Sequence, residues 1–371
     1  MATVAWLYAI LSWLLPSRPP VRRAVPSRIV IVLPCCIGDV VNGTAVLVAL
    51  RRAYPHAHIA WAVGSWSRAV LEQQPMLDAL IDTGPGAFPA ATPPALLRFV
   101  RTLRRGRYDL AVSLVRTPRA SLSLWLSGIP VRAGLDSGHR GFGCNVRAPI
   151  NPVEERIEAD IYLDTIRALG LSIDDVTTRL EIPASALERA RVEITALGVS
   201  GRFVVVNTSG GRNPGMSMAS KRYPPDRLAR VIEGLRGAGL DVILAAGPGD
   251  SDAATAVQDH LNTAVPQSVG TLAPLELIAV ASLGVGYIGF DTGLTHAAAA
   301  AGVPTVMILG PTSPARYGPH NPAGIAVWRP VEVAASGVGA REQAAFDWAC
   351  DGVDPAEIIA ATLNHFRRDV D

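Results

Sequence analysis

Two carboxylates of this chain stand where a strand should give way to a helix. Asp39 lies in Pro34-Cys35-Cys36-Ile37-Gly38-Asp39-Val40, between a β-branched run and a helical one. Open α/β sheets bind ligands at the carboxyl ends of their strands, so a carboxylate there could take a proton from a hydroxyl as a general base. In a first helical turn it would also complement the helix dipole. The turn does not read G-x-G-x-x-G, which removes the main support for a dinucleotide-dependent oxidoreductase. The second carboxylate belongs to Gly289-Phe290-Asp291-Thr292-Gly293-Leu294-Thr295-His296, which opens an Ala-rich helix. Free N–H groups at such a terminus suit an anion, and Gly293 lets a phosphate come close. Asp291 would repel that phosphate unless it binds sugar hydroxyls. The structural alternative makes Asp291 an N-cap and His296 a packed core residue.

Two further stretches add cations and acids. Asn207-Thr208-Ser209-Gly210-Gly211 runs through Ser217 to Lys221-Arg222-Tyr223-Pro224. Backbone donors and a lysine suit a diphosphate, although the G-K-[ST] ending of a Walker loop is missing. Two solvated surface cations are the alternative. Gly247-Pro248-Gly249-Asp250-Ser251-Asp252 offers an Asp-x-Asp pair that could hold a divalent ion or simply cap the helix that follows. Cys35, Cys36, Cys144 and Cys350 have neither metal-ligand spacing nor disulfide density, which fits a reducing compartment.

The elements that must hold these residues alternate. Strands are predicted at 29–33, 58–63, 79–82 and 108–115, with helices at 40–53 and 94–104. Residues 134–149 read as a long polar surface loop, and helices follow at 154–169 and 185–197. A second alternation places strands at 203–207, 242–246, 285–288 and 304–309, with helices at 225–236, 252–261, 274–281 and 294–301. This predicts two Rossmann-like halves, each a mostly parallel sheet covered on both faces, with a boundary near residues 170 to 200.

Composition agrees with such a chain and excludes others. With 371 residues, 34 Lys plus Arg and 32 Asp plus Glu, it has length for two domains and no global field for a nucleic-acid backbone. An apolar fraction of 49% rules out intrinsic disorder. The mean hydropathy of +0.27 is high, and part of it comes from Met1 to Leu15, a Trp- and Leu-rich run without charge. It is short for a span and is followed by Arg18, Arg22, Arg23 and Arg28. It is expected to lie as a monotopic anchor on the cytoplasmic membrane face, or else to dock on the protein's own surface.

Taken together, these motifs resemble glycosyltransferase family 9, the ADP-heptose:lipopolysaccharide heptosyltransferases. The resemblance runs from about Arg28 to the C-terminus. It is strongest over Asp291 to His296, Gly302-Val303-Pro304-Thr305 and Gly310-Pro311-Thr312-Ser313-Pro314-Ala315-Arg316-Tyr317-Gly318-Pro319. Ile37-Gly38-Asp39-Val40-Val41, Lys221-Arg222-Tyr223-Pro224, Gly247-Pro248-Gly249-Asp250, and Cys350 ahead of Asp354-Pro355 are similar to its other landmarks.

The resemblance implies a GT-B fold, two Rossmann-like domains facing a cleft, and an inverting, metal-independent transfer with no cofactor beyond the ADP-sugar substrate. The chain then divides into an apolar N-terminal helix and Pro/Arg-rich linker (1–27), an acceptor domain (28–185), a donor domain (186–350) and a C-terminal helix (351–371). It implies Asp39 as catalytic base and Lys221 as the cation on the leaving diphosphate, with Ser217 as a second phosphate donor. Asp250 would meet the ribose, backbone near Leu272 the base, Asp291 the sugar hydroxyls, and the N–H groups of Thr292 and Gly293 the phosphate, with His296 beside them. Gly38 and Asn42 would face the acceptor. The chain differs from the family pattern at Asn42-Gly43, at Asn207-Thr208-Ser209 and at Tyr223.

The expected function is transfer of a heptose or related sugar from an ADP-sugar to a lipopolysaccharide core or other glycolipid or glycan, by a cytoplasmic enzyme on the inner membrane. The alternatives are a different nucleotide-sugar donor with a non-lipopolysaccharide acceptor, or a catalytically silent sugar-nucleotide binding protein. No nucleic-acid partner is expected.

Overall fold

The computed structural model describes residues 8, 10, 25–85, 92–151, 154–213, 216–331 and 346–367, with backbone alone for 212, 213, 216 and 217. Its chain divides into two compact units, Met1–Thr178 and Arg179–Asp371.

In the first unit, β1 (Arg28–Val32), β2 (His58–Val63), β3 (Ala79–Asp82), β4 (Leu110–Ser113), β5 (Val131–Asp136) and β6 (Val146–Pro149) form one parallel sheet. Its order is β3-β2-β1-β4-β5-β6, so the topology reverses between β1 and β4. Ile29, Val30 and Ile31 are fully buried, as a strand covered on both faces requires. Helix α1 (Ile37–Ala53) follows β1, while α2 (Pro93–Arg105) and α3 (Pro118–Ser127) flank β4 in sequence. Helix α4 (Glu158–Ala168) packs against α1. A Cβ on Gly43 would stand 2.9 Å from Leu33 and 3.0 Å from Trp61, so glycine is what lets α1 lie close to the sheet.

Residues 134–149 are not the loop that their glycines and charges suggested. They complete β5 and supply β6, and they bury Leu135, Phe142, Cys144 and Ala148. Some of their polar groups bond local backbone: Asp136 accepts from the Gly141 N–H at 2.9 Å, and Arg147 donates to the Phe142 carbonyl at 3.1 Å, while His139 and Arg140 are exposed. The expected apolar N-terminal helix falls outside the described residues except for Tyr8 and Ile10, both helical. The Tyr8 ring stacks on Phe142 with centroids 6.2 Å apart. No helix among the described residues is long and apolar enough to cross a membrane.

The second unit opens with α5 (Ala184–Ala196) and β7 (Phe203–Asn207), followed by a separate antiparallel pair, β8 (Arg212–Asn213) and β9 (Met216–Ser217). Next come α6 (Pro225–Gly237), β10 (Asp241–Ala246), α7 (Ser251–Gln258), β11 (Gln267–Val269), α8 (Pro274–Leu283) and β12 (Gly286–Phe290). The chain continues through α9 (Gly293–Ala300), β13 (Thr305–Ile308), α10 (Pro314–Tyr317), β14 (Gly324–Val327) and α11 (Pro355–Arg367). Six of these strands make a parallel sheet in the order β11-β10-β7-β12-β13-β14, the same doubly wound order as in the first unit. Its reversal point lies between β7 and β12. Helix α11 closes the unit against α6.

Candidate active site

At the second unit's reversal point, β12 ends at Phe290 and passes Asp291 to Thr292, which begins α9. The buried Asp291 carboxylate has three neighbours. Lys221 Nζ donates to Oδ2 at 2.5 Å, Thr312 Oγ1 donates to the same oxygen at 2.9 Å, and His296 Nε2 lies 3.9 Å from Oδ1. Burial alone would raise this carboxyl, yet the Lys221 charge and the His296 ring together hold it well below the ordinary carboxylate range. Asp291 is therefore not the helix cap. Thr292 holds that position, its side chain makes no capping bond, and the first turn of α9 has no acidic residue. Lys221 cancels the Asp291 charge, so the negative field that would repel a phosphate from this helix start is removed.

Lys221 is held in place by a folded loop. Asn207, the last residue of β7, donates to the Tyr287 hydroxyl at 2.7 Å and accepts from the Ser209 N–H at 3.0 Å. Gly247 N–H donates to Ser209 Oγ at 2.6 Å. Gly211 has φ +70°, and a Cβ there would collide with the Met218 carbonyl, so only glycine closes this turn. Lys221 then ends a short 3-10 turn, Ala219–Lys221, with Nζ 5.1 Å from the Tyr317 ring centroid. The two adjacent cations of this loop have separate places. Lys221 is buried, while Arg222 donates to the Gly210 carbonyl at 2.7 Å and to Asp250 at 2.8 Å. Behind the turn, Trp348 donates to the Ser220 carbonyl at 3.0 Å and packs edge-on against Tyr223.

In the first unit, Cys36 precedes α1 with φ 67°, a left-handed conformation costly for a residue with a side chain. Asp39 follows in the first turn, half-buried. The hydroxyl of Tyr162, buried on α4, donates to it, and burial together with the Asp39 charge pushes this phenol well above its ordinary value. One turn before Tyr162, Glu158 pairs with Arg116, which follows β4. Gly38 is half-buried beside Asp39, and Asn42, one turn further along α1, is buried with Oδ1 lacking a hydrogen-bond partner. Contact with Cys35, burial and the Asp39 charge all push the Cys36 thiol far up.

The structure thus brings together Lys221, Asp291, Thr292, Gly293 and His296 in one unit, and Gly38, Asp39 and Asn42 in the other. Leu272 is half-buried in the loop after β11. Asp250 precedes α7 and is held by Arg222; Asp252 is exposed. The Ser217 side chain lies outside the described set. Among the described residues no group of three or more His, Cys, Asp and Glu is disposed to hold a metal. Thr312 and Tyr162 had no assigned role in the sequence reading. Thr312 follows β13, the strand beside β12, so the strand-end rule that singles out Asp291 points to it as well. Tyr162 carries no comparable mark.

Solved structures share this architecture. A glycosyl transferase family 9 structure from Veillonella parvula DSM 2008 has a TM-score of 0.77 at 21% identity, covering 92% of this chain and 98% of its own. The Escherichia coli ADP-heptose lps heptosyltransferase II has a TM-score of 0.72 at 18% identity, with 93% and 100% covered. Two doubly wound units with candidate chemistry at both reversal points define the protein as a GT-B-type α/β fold. Residues 96–341 match glycosyltransferase family 9 (heptosyltransferase), and lipopolysaccharide heptosyltransferase 3 of Escherichia coli (strain K12) is 25% identical over 301 residues, 78% of this chain and 85% of that protein. The chain belongs to glycosyltransferase family 9 and is a glycosyltransferase.

Proposed function

We propose that the protein moves a heptose, or a related sugar, from an ADP-sugar to a lipopolysaccharide core or other glycolipid, with inversion at the anomeric carbon and without a metal ion or cofactor. Its similarity to lipopolysaccharide heptosyltransferase 3 and to ADP-heptose lps heptosyltransferase II supports this donor and acceptor. The observation that carries the donor half is the buried Lys221–Asp291 pair beside the uncapped start of α9. In this reading the N–H groups of Thr292 and Gly293 meet the diphosphate, and Ser217 adds a hydroxyl donor. Asp291 and His296 face the sugar, Asp250 the ribose, and backbone near Leu272 the base.

The transfer follows from these roles. The acceptor hydroxyl oxygen bonds to the anomeric carbon while Asp39 takes its proton. The carbon–oxygen bond to the diphosphate breaks, and the diphosphate leaves with the electron pair. Lys221 and the α9 N–H groups stabilise the charge that develops on it. The Tyr162 hydroxyl orients the Asp39 carboxylate, and Gly38 and Asn42 line the acceptor side. The enzyme works on the cytoplasmic face of the inner membrane, where a lipid-borne acceptor lies. A second reading, with another donor and a non-lipopolysaccharide acceptor, draws on Asn42, where the family pattern that the sequence resembles differs.

Thermal-shift measurements across ADP, UDP, GDP and their sugars test this, because a ligand that binds the native state raises its apparent stability. ADP and ADP-heptose should raise the melting temperature most. A shift confined to uridine or guanosine diphosphates would reject the ADP donor.

A further inference from the structure

Arginines on several helices of this protein meet carboxylates. Arg167 pairs with Asp160 and Asp164 on α4, Arg189 with Glu193 and Arg191 with Glu188 on α5, and Arg230 with Asp226 and Arg236 with Glu233 on α6. Helices α2 and α3 break this pattern. From Pro93 to Gly128 there are seven arginines and one acid, Asp109, which accepts from the backbone of Ser27 and Arg28. Arg116 has Glu158 and Arg104 donates to the Leu126 carbonyl at 2.7 Å, which ties the two helices together. Arg98, Arg101, Arg105, Arg107 and Arg119 are exposed and have no carboxylate partner among the described residues. The helix dipole accounts for Arg105 at the end of α2, but not for Arg98, Arg101 or Arg119.

Helices α2 and α3 pack against each other, and the outer side of α2 is the more basic. Helix α2 buries Phe99, Val100 and Leu103, so the side opposite the core carries Arg98, Arg101 and Arg105. Beside them Leu97 is 49% exposed, and on α3 Trp125 is 42% exposed. Tyr8 comes from the apolar N-terminal run, and it stacks on Phe142 in a turn joined to α3 by the bond from Ser121 Oγ to the Arg140 carbonyl. Arginines interleaved with an exposed Trp and Leu suit a bilayer surface: the guanidinium groups meet anionic headgroups while the aromatic and aliphatic side chains enter the interface.

We infer that the outer face of α2 and α3 is a docking surface for anionic phospholipid membrane. The inference rests on the membrane-association reading above for its partner and adds the surface that makes the contact. The face gathers exposed arginines onto two neighbouring helices in a chain whose total charge is near balance, the local excess an anionic surface would meet.

Flotation of the full-length protein with phosphatidylcholine vesicles, with and without 30 mol% phosphatidylglycerol as the probe composition, tests it. Wild type should float with the anionic vesicles, and raising salt should release it. The triple variant Arg98→Glu, Arg101→Glu, Arg105→Glu should lose on the order of a hundredfold in partitioning, taking about 1 kcal/mol per basic residue near the surface. Trp125→Ala should weaken binding by a smaller factor, and the triple variant Arg98→Lys, Arg101→Lys, Arg105→Lys should restore it. An unchanged melting temperature in each variant separates lost docking from lost folding. If wild type floats and the Glu variant floats equally, the surface assignment falls while membrane association stands. If wild type stays off anionic vesicles, both fall; a dimer that the Glu variant dissociates would then give the face to a second copy of the chain.

Discussion

The two reversal points of this protein share a strand order and differ in how their charges are treated. In the second unit Asp291 is buried and engaged by Lys221, Thr312 and His296, so the charges are matched before any ligand arrives. In the first unit Asp39 is half-buried at a strained turn, held by the Tyr162 hydroxyl, and near an Asn42 oxygen that has no partner. A matched, dry pair suits a site that fixes a charged group, because its dipoles need no reorganisation. A half-buried carboxylate in the first turn of a helix, within reach of solvent, suits one that must accept a proton. One topology therefore serves two kinds of chemistry, and the difference lies in a few residues just past the strand ends.

Breaking that contrast at Asp39 should have the largest effect. Asp39→Asn is expected to lower kcat by about 10² to 10⁴, the usual worth of a positioned base, while donor affinity and melting temperature stay as in wild type. Turnover near wild type would remove Asp39 as the base. Lys221→Ala should act in the opposite manner. It strands Asp291 buried without its cation, so urea denaturation should show a loss of about 3 to 5 kcal/mol, together with weaker donor binding. The double change Lys221→Met, Asp291→Asn should recover part of the stability and none of the binding.

The smallest expected effect is on the pH dependence of stability. Asp291 is held below the unfolded value of about 3.9, so its stabilisation is complete above that pH and is lost as pH falls through the folded value. Melting curves from pH 6 to pH 2.5 should therefore fall less steeply for Asp291→Asn than for wild type below about pH 4. Parallel curves would mean that the pair contributes nothing that protons can remove.

Sequence pattern reached the fold through the β-branched runs of the central strands, which are buried on both faces and so read as continuous apolar stretches. It did not reach β5 and β6, because Gly134, Asp136, His139, Arg140 and Arg147 give that segment the composition of a loop. Asp136 and Arg147 bond local backbone, Arg147 donating to the Cys144 carbonyl at 3.0 Å, while His139 and Arg140 stay exposed in the turn between the strands. Asp39 and Asp291 could be singled out because each follows a strand and opens a helix, and Lys221 because it follows a Gly-rich loop. That Lys221 and Asp291 pair was not legible, since 70 residues separate them and only the adjacency of β7 and β12 joins them. Tyr162 was invisible for a related reason: a tyrosine on an amphipathic helix looks the same whether its hydroxyl meets solvent or a carboxylate.

The bond from Trp348 to the Ser220 carbonyl spans 128 residues, and it sets an order of events during synthesis. The turn that carries Lys221 leaves the ribosome without the indole that braces it. At 5–20 residues per second, roughly 6–25 s pass before Trp348 is made. The first unit has all of its strands and helices before this wait begins. A newly made chain therefore holds its Asp39 turn for many seconds before its Lys221 turn is braced.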